Sequence, residues 1–178
     1  MRDISKMTQN QKLTTLRNRD QDISDNNLRE FAKDRDEDIR CAVTDHPNTP
    51  ADLLGEMAKD KSELVRRYVA YNSKTPVDAL RDIAKSSNWF SRCNVARNPS
   101  TPQDVLKYLA TDKDSTVRAT VAVNRKSSRE ILVILFEYEK GLDIISDTIL
   151  KNLYKNPNFP VFAKRVMETL FGDMLYWI

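Results

Sequence analysis

Four arginines recur every 26 residues, Arg40, Arg66, Arg92 and Arg118, and four acids keep the same spacing, Asp52, Asp78, Asp104 and Glu130. Two chemistries suit such columns. A row of guanidinium groups can follow a phosphate backbone, each neutralised phosphate adding salt-dependent affinity. Arginines and carboxylates on successive units can instead neutralise each other as a ladder of ion pairs. A residue present in every repeat is explained first by what every repeat needs, so the ladder is the expected use, with Asp52, Asp78, Asp104 and Glu130 as partners.

Positions that vary within the period are better candidates for recognition. Trp89 stands where other copies have Glu37, Glu63 and Ser115; Tyr71 aligns with Asp45, Arg97 and Val123; Tyr68 aligns with Ala42, Asn94 and Thr120. Arg67, Lys74, Arg97, Arg125 and Lys126 lie beside them on the second helix of a unit or the turn after it. Aromatics among arginines serve as protein hot spots or stack on bases. The candidate partner-binding set is Arg66, Arg67, Tyr68, Tyr71, Trp89, Arg92, Arg97, Arg125 and Lys126. The structural alternative is that Trp89 and the tyrosines fill gaps between units.

Catalytic signals are missing from the sequence. His46 is the sole histidine, in a column otherwise occupied by Asn at a helix end. There is no phosphate-cradling glycine loop, no spacing of metal ligands and no nucleophile with a positioned base, so neither an enzyme nor a cofactor is expected. Cys41 and Cys93 share a column two repeats apart, which places them roughly 20 Å from each other at ordinary helix spacings. That exceeds the ~7 Å reach of a disulfide, so two free thiols are expected.

The elements that must position these residues follow from the period itself. It runs from Ile39 to Glu130, and self-similarity at this length is the signature of stacked supersecondary units. Each unit reads as two short helices. Thr49-Pro50-Ala51-Asp52, Thr75-Pro76-Val77-Asp78 and Thr101-Pro102-Gln103-Asp104 read as Thr at N-cap, Pro at the first helical position and an acid against the positive helix end. Ser127-Ser128-Arg129-Glu130 keeps the cap without the proline. A second cap column, Asp36, Ser62, Asn88 and Asp114, opens the second helix. Apolar residues at i, i+3 and i+4, such as Leu106, Leu109 and Ala110, mark the core of the first helices. The column Val43, Val69, Val95 and Val121 marks that of the second. Asn72, Asn98 and Asn124 end the second helices, where Asn tolerates the left-handed conformation.

The expected fold is all-α: one domain over residues 1–178, a right-handed α-solenoid of about five 26-residue two-helix repeats with irregular terminal caps. Residues 1–33 form the N-terminal cap, 34–138 the regular repeats, and 139–178 an irregular last repeat and C-terminal cap. Glu139-Lys140-Gly141-Leu142-Asp143 reads as a loop. Asn156-Pro157-Asn158-Phe159-Pro160 restarts the pattern after a six-residue insertion, with Phe159 in place of the cap threonine. The apolar tail Met174, Leu175, Tyr176, Trp177 and Ile178 is expected to cover the end of the stack.

The segment Ala96-Arg97-Asn98-Pro99-Ser100-Thr101-Pro102-Gln103-Asp104-Val105-Leu106-Lys107-Tyr108-Leu109-Ala110 resembles the leucine-rich repeat variant family, a relative in style of HEAT-like helical repeats. The likeness recurs at His46 and Asn72 and weakly at Asn156, covering about three quarters of the chain. It implies paired short helices wound into a right-handed superhelix that acts as an interaction scaffold. Some members carry an iron–sulfur segment ahead of the repeats, which two separated cysteines cannot supply.

Charge refines the choice of partner. Lys and Arg against Asp and Glu number 10 against 13 over residues 1–60, 14 against 6 over 61–129, and 5 against 7 over 130–178. The middle block carries an excess of eight positive charges (14 − 6). No apolar run approaches the ~20 residues of a membrane span, and the first residues lack the apolar stretch of a signal peptide, so a cytoplasmic protein is expected. The expected function is non-enzymatic binding of a protein partner through the second-helix face. The alternative is DNA or RNA along the basic centre, residues 61–129, with Trp89 or Tyr71 stacking on a base.

Overall fold

The structure, a computed structural model, describes residues 6–18 and 22–172. The tail from Met174 to Ile178 lies outside the described residues. Two compact units divide the chain. Unit 1, Met1–Lys85, holds α1 (Gln9–Arg17), α2 (Asp25–Phe31), α3 (Glu37–Asp45), α4 (Ala51–Met57), α5 (Glu63–Tyr71) and α6 (Val77–Ile83). Unit 2, Ser86–Ile178, holds α7 (Trp89–Arg97), α8 (Gln103–Leu109), α9 (Ser115–Val123), α10 (Arg129–Lys140), α11 (Asp147–Lys155) and α12 (Val161–Phe171). Among the described residues there is no strand, and no helix is long and apolar enough to cross a membrane.

Helices of seven and nine residues are marginal in isolation, so packing and end chemistry must hold them. In unit 1, α1 packs on α3 and α3 on α5; in unit 2, α7 packs on α9 and α9 on α11. These are the second helices of the period, and each unit sets them side by side. The column Val43, Val69, Val95 and Val121 is fully buried, as are Leu54, Leu80, Leu106 and Leu132 of the first helices. The predicted second caps hold: Asp36, Ser62, Asn88 and Asp114 each accept a backbone N–H two residues on.

The other predicted cap differs. The first helices begin after Pro50, Pro76 and Pro102, and no side chain caps them. Thr49, Thr75 and Thr101 instead donate their hydroxyls, at 2.5, 2.5 and 2.6 Å, to the carbonyls of Val43, Val69 and Val95. Proline fixes the helix entry by its own φ, which frees the buried threonine to give a second hydrogen bond to a carbonyl at the end of the preceding helix, one that also accepts the N–H of His46, Asn72 or Asn98. Ser127 does the same to Val121, and without a proline Ser128 supplies the cap to Ile131 N–H.

The asparagines also act otherwise than expected. No described non-glycine residue has positive φ, and Asn72, Asn98 and Asn124 are extended. Their side chains do the turning. Oδ1 of Asn72, Asn98, Asn124 and Asn156 accepts the N–H two residues on, and Nδ1 of the buried His46 accepts from Asn48 in the same way. The amide nitrogens of Asn72, Asn124 and Asn156 then donate to the carbonyls of Thr44, Ala96 and Ala122, joining one turn to the previous repeat inside each unit.

The last repeat is longer. α10 continues through Lys140, so Glu139 is a helical, fully buried residue and not part of a loop. Burying its carboxylate is tolerated because Arg118 donates to it at 2.5 Å. Phe159, in the threonine column, sits edge-on to Phe136 with centroids 5.7 Å apart. α12 carries Lys164 and Glu168 where α8 carries the buried Leu106 and Ala110. Lys164 lies over the Tyr154 ring at 5.0 Å, and Tyr154 donates to Glu168 at 2.6 Å.

Candidate functional site

The arginine column forms a ladder, but with other carboxylates. Arg40 donates Nε and Nη2 to Asp60 at 2.7 and 3.0 Å, and Arg92 makes the same two-pronged pair with Asp112 at 2.7 and 2.8 Å. Nη1 of each arginine meets two carbonyls of the turn before its own helix, Asp34 and Arg35 for Arg40, Ser86 and Ser87 for Arg92. Arg118 repeats this with Asp112, Lys113 and Glu139. Asp52, Asp78 and Asp104 are exposed first-turn residues, and Asp52 pairs with Arg29 instead. The working column is Asp60 and Asp112, twenty residues beyond the arginine. There the carboxylate also takes the N–H of Ser62 or Asp114 and so belongs to the turn.

Arg66 breaks the rule for a reason the sequence contains. Twenty residues on stands Ser86, which accepts Asn88 N–H but offers no carboxylate. Arg66 therefore turns to Glu63 on its own helix and to the Asp60 carbonyl. Of the nine predicted binding residues, Arg92 is buried and committed to Asp112, which removes it from any exposed surface, and Arg66 is half-buried and engaged.

The remaining seven fall on both units. In unit 1, Tyr71 is 59 % and Tyr68 40 % exposed, with the Arg67 guanidinium 5.8 Å from the Tyr68 ring centroid. In unit 2, Trp89 stacks on Phe90 with centroids 3.7 Å apart, and both rings are more than a third exposed. Arg97, Arg125 and Lys126 are exposed; the Lys126 ammonium is anchored on the Pro99 carbonyl. Phe90 was not among the predicted residues. Its column, Asp38, Leu64 and Thr116, varies as much as that of Trp89, and that is the signal that marks it.

Unit 1 also holds a cleft between α1, α3 and α5, lined by Arg17, Asp38, Asp45 and Tyr68 over a floor that includes Leu16 and Cys41. Asp38 and Asp45 are further residues that the sequence reading passed over. Cys41 lies in this floor, and burial, aided by Glu37 and Asp38, pushes its thiol up to about 11. Burial likewise raises Cys93, against the Thr120 hydroxyl that contacts its sulfur. Both cysteines are free and buried, so neither is an activated nucleophile. Among the described residues no three His, Cys, Asp or Glu side chains gather as metal ligands. Compared with protein-family models, curated proteins and solved structures, the chain matches none.

Proposed function

We propose that this protein is a non-enzymatic binding module that recognises a protein partner through the second-helix faces of its units. The 26-residue period and the likeness to leucine-rich repeat variant and HEAT-like proteins suggest a right-handed solenoid of about five repeats, working in the cytoplasm as a scaffold. One observation carries the functional reading. The residues shared by every repeat, the arginines, valines, threonines and asparagines, are used up inside the fold, whereas Tyr68, Tyr71, Trp89 and Phe90 occupy variable columns and are exposed. Rigid aromatics beside arginine are the side chains that dominate protein interfaces.

Photo-crosslinking in the native cell tests this reading. A benzophenone amino acid at Tyr71 or Trp89 should give a discrete protein adduct, and the same probe at Asp78, exposed on a first helix, should not. Adducts with nucleic acid only would reverse the conclusion. That second reading draws on Arg97 and Arg125, exposed in unit 2 along with the Trp89–Phe90 stack. It is weakened by Arg92 and Arg118, whose charges are taken by Asp112 and Glu139.

A further inference from the structure

The second helices of unit 2 end in a row. Arg97, Val123 and Lys155 are the last residues of α7, α9 and α11, they occupy one column of the repeat, and these helices pack side by side. At ordinary helix spacings the three positions stand roughly 10 Å apart, about 20 Å from Arg97 to Lys155. All three are exposed, Val123 by 53 %, and the turn after α9 adds the exposed Arg125 and Lys126. Side-chain amides hold this edge. Asn124 donates to the Ala96 carbonyl at 2.6 Å, and Asn158 to the carbonyls of Arg125 and Ser127 at 2.8 and 3.0 Å. The backbone that carries the cations is thus set before any ligand arrives, which lowers the cost of binding.

Only part of this charge serves the fold. Arg97 and Lys155 suit the negative ends of their helices, and Lys126 donates to the Pro99 carbonyl as Lys74 does to that of Pro47 in unit 1. Arg125 does neither. It stands beyond the helix end, in a column that otherwise holds Pro47, Ser73, Pro99 and Pro157. Among the described residues no carboxylate pairs with Arg97, Arg125 or Lys155, whereas the exposed Lys33 and Lys107 find Glu30 and Glu130. The segments 96–101, 122–128 and 154–159 carry these four cations and no Asp or Glu. Their unit 1 counterparts, 44–49 and 70–75, carry Asp45 and Lys74, so the excess belongs to unit 2 and not to the repeat.

We propose that this edge binds an extended acidic segment of the partner protein, one carboxylate at Arg97, another at Lys155, and an apolar side chain between them on Val123. The proposal rests on the protein-binding reading and adds the chemistry of one segment of the partner. An extended chain advances about 3.3 Å per residue, so three residues span one helix spacing. The matching pattern is an acid, two residues, an apolar residue, two residues and a second acid. Arg125 and Lys126 strengthen the positive field along the same path. A phosphate backbone carries charge at every step and offers nothing apolar to the middle of the row, where Val123 stands.

The test titrates the full ¹⁵N-labelled chain with Ac-Glu-Thr-Ser-Leu-Ser-Thr-Glu-NH2. This peptide should shift the amides of Arg97, Val123, Arg125 and Lys155 and saturate with a Kd on the order of 1 mM. Glutamine in place of both glutamates should weaken binding about fivefold, the worth of two exposed ion pairs. Serine in place of leucine should weaken it about threefold, as for a few tens of Å² of apolar contact, and should make no difference to Val123→Ser. Arg97→Gln/Arg125→Gln/Lys155→Gln should bind the glutamate and glutamine peptides alike, with an unchanged circular dichroism spectrum. Should the triple variant fail to fold, Arg125→Gln alone should still narrow the difference between them. Equal binding of the glutamine peptide to the unaltered chain, shifts confined to unit 1, or no shift with any peptide overturns the proposal. So does a short oligothymidylate that displaces the peptide and binds the same amides more tightly at physiological salt, which would give the edge to nucleic acid. Crosslinking at Tyr71 and Trp89 is untouched by the peptide outcomes, so the two readings can fail separately.

Discussion

Arg92 and Asp112 meet side by side in a buried two-pronged ion pair, Nε to Oδ2 at 2.7 Å and Nη2 to Oδ1 at 2.8 Å, clamping the turn before α7 to the turn before α9. Such a pair contributes less than its removal costs, because a lone buried charge keeps its desolvation penalty. The cost should depend on whether the arginine has a second carboxylate within reach. Arg66 has one in Glu63, whereas Arg92 has Trp89 at the equivalent position.

Asp112→Ser, which copies the natural Ser86, should therefore destabilise the protein by about 3–5 kcal/mol in urea unfolding. Adding Trp89→Glu should restore part of that loss by giving Arg92 the partner that Arg66 uses. If the second change returned nothing, the local carboxylate would not be what lets Arg66 do without its rung.

The Asp60 rung makes stability depend on acid. Burial, the largest influence, raises its pKa, but the hydrogen bond from Arg40, the Ser62 N–H and the Arg40 charge together hold it below the ordinary Asp value of 3.8. The unfolded chain then binds the proton more readily than the folded one. The contribution is complete above the unfolded value and is lost as pH falls below about 4 through the folded value. Asp60→Asn should flatten the acid limb of stability against pH between 5 and 2; an unchanged limb would assign the acid sensitivity elsewhere.

Repetition made the helices legible in the sequence, but it concealed which partner each repeated group has. The second caps and the valine column could be read directly, because N-cap chemistry and apolar spacing act within a few residues. The Arg92–Asp112 pairing spans 20 residues, and the period offers an arginine several acids per unit, so spacing alone could not choose between Asp104 and Asp112. Thr101 looked like an N-cap, and Asn124, which does end its helix, like a left-handed turn residue, for the same reason: their partners, Val95 and Ala96, lie across a turn or in another repeat. Among the site residues, Tyr71 and Trp89 were visible as departures from the period. Asp45 was not, since an acid at a helix end draws notice only once that end is placed.

The asparagine column should be intolerant of alanine and tolerant of its own variant. Asn72→Ala removes the donor to Thr44 and the acceptor of Lys74 N–H, and should cost about 1–3 kcal/mol for groups left unsatisfied. His46→Asn installs the residue of the other copies and should change stability by less than about 1 kcal/mol. Thermal unfolding of the two variants decides. A larger loss for His46→Asn would mean that this turn uses the imidazole for more than the Asn48 hydrogen bond.

Cys41 should be nearly inert in the folded chain. With its pKa pushed up to about 11, only about one thiol in a thousand is thiolate at pH 8, against about a quarter for an ordinary thiol near 8.5. Alkylation of Cys41 by iodoacetamide should run at least about a hundredfold slower in the native protein than in urea, with peptide mass mapping as the readout. Comparable rates would show that the floor of the unit 1 cleft opens freely to solvent.

Salt dependence separates the two binding readings through the same ion pairs. Any affinity for duplex DNA should fall with salt at a slope of about −0.9 per phosphate contact on logarithmic axes. Arg97 and Arg125 are exposed, so replacing both with Ala should flatten that slope by about 1.8, two contacts' worth. Arg118 spends its guanidinium on Glu139 and on the carbonyls of Asp112 and Lys113, so it should contribute nothing to the slope. Arg118→Lys, tested where the variant remains folded, should leave the slope unchanged. A slope that drops with Arg118→Lys but not with Arg97→Ala/Arg125→Ala would mean that the buried ladder opens towards a phosphate backbone, and nucleic acid would then displace protein as the partner.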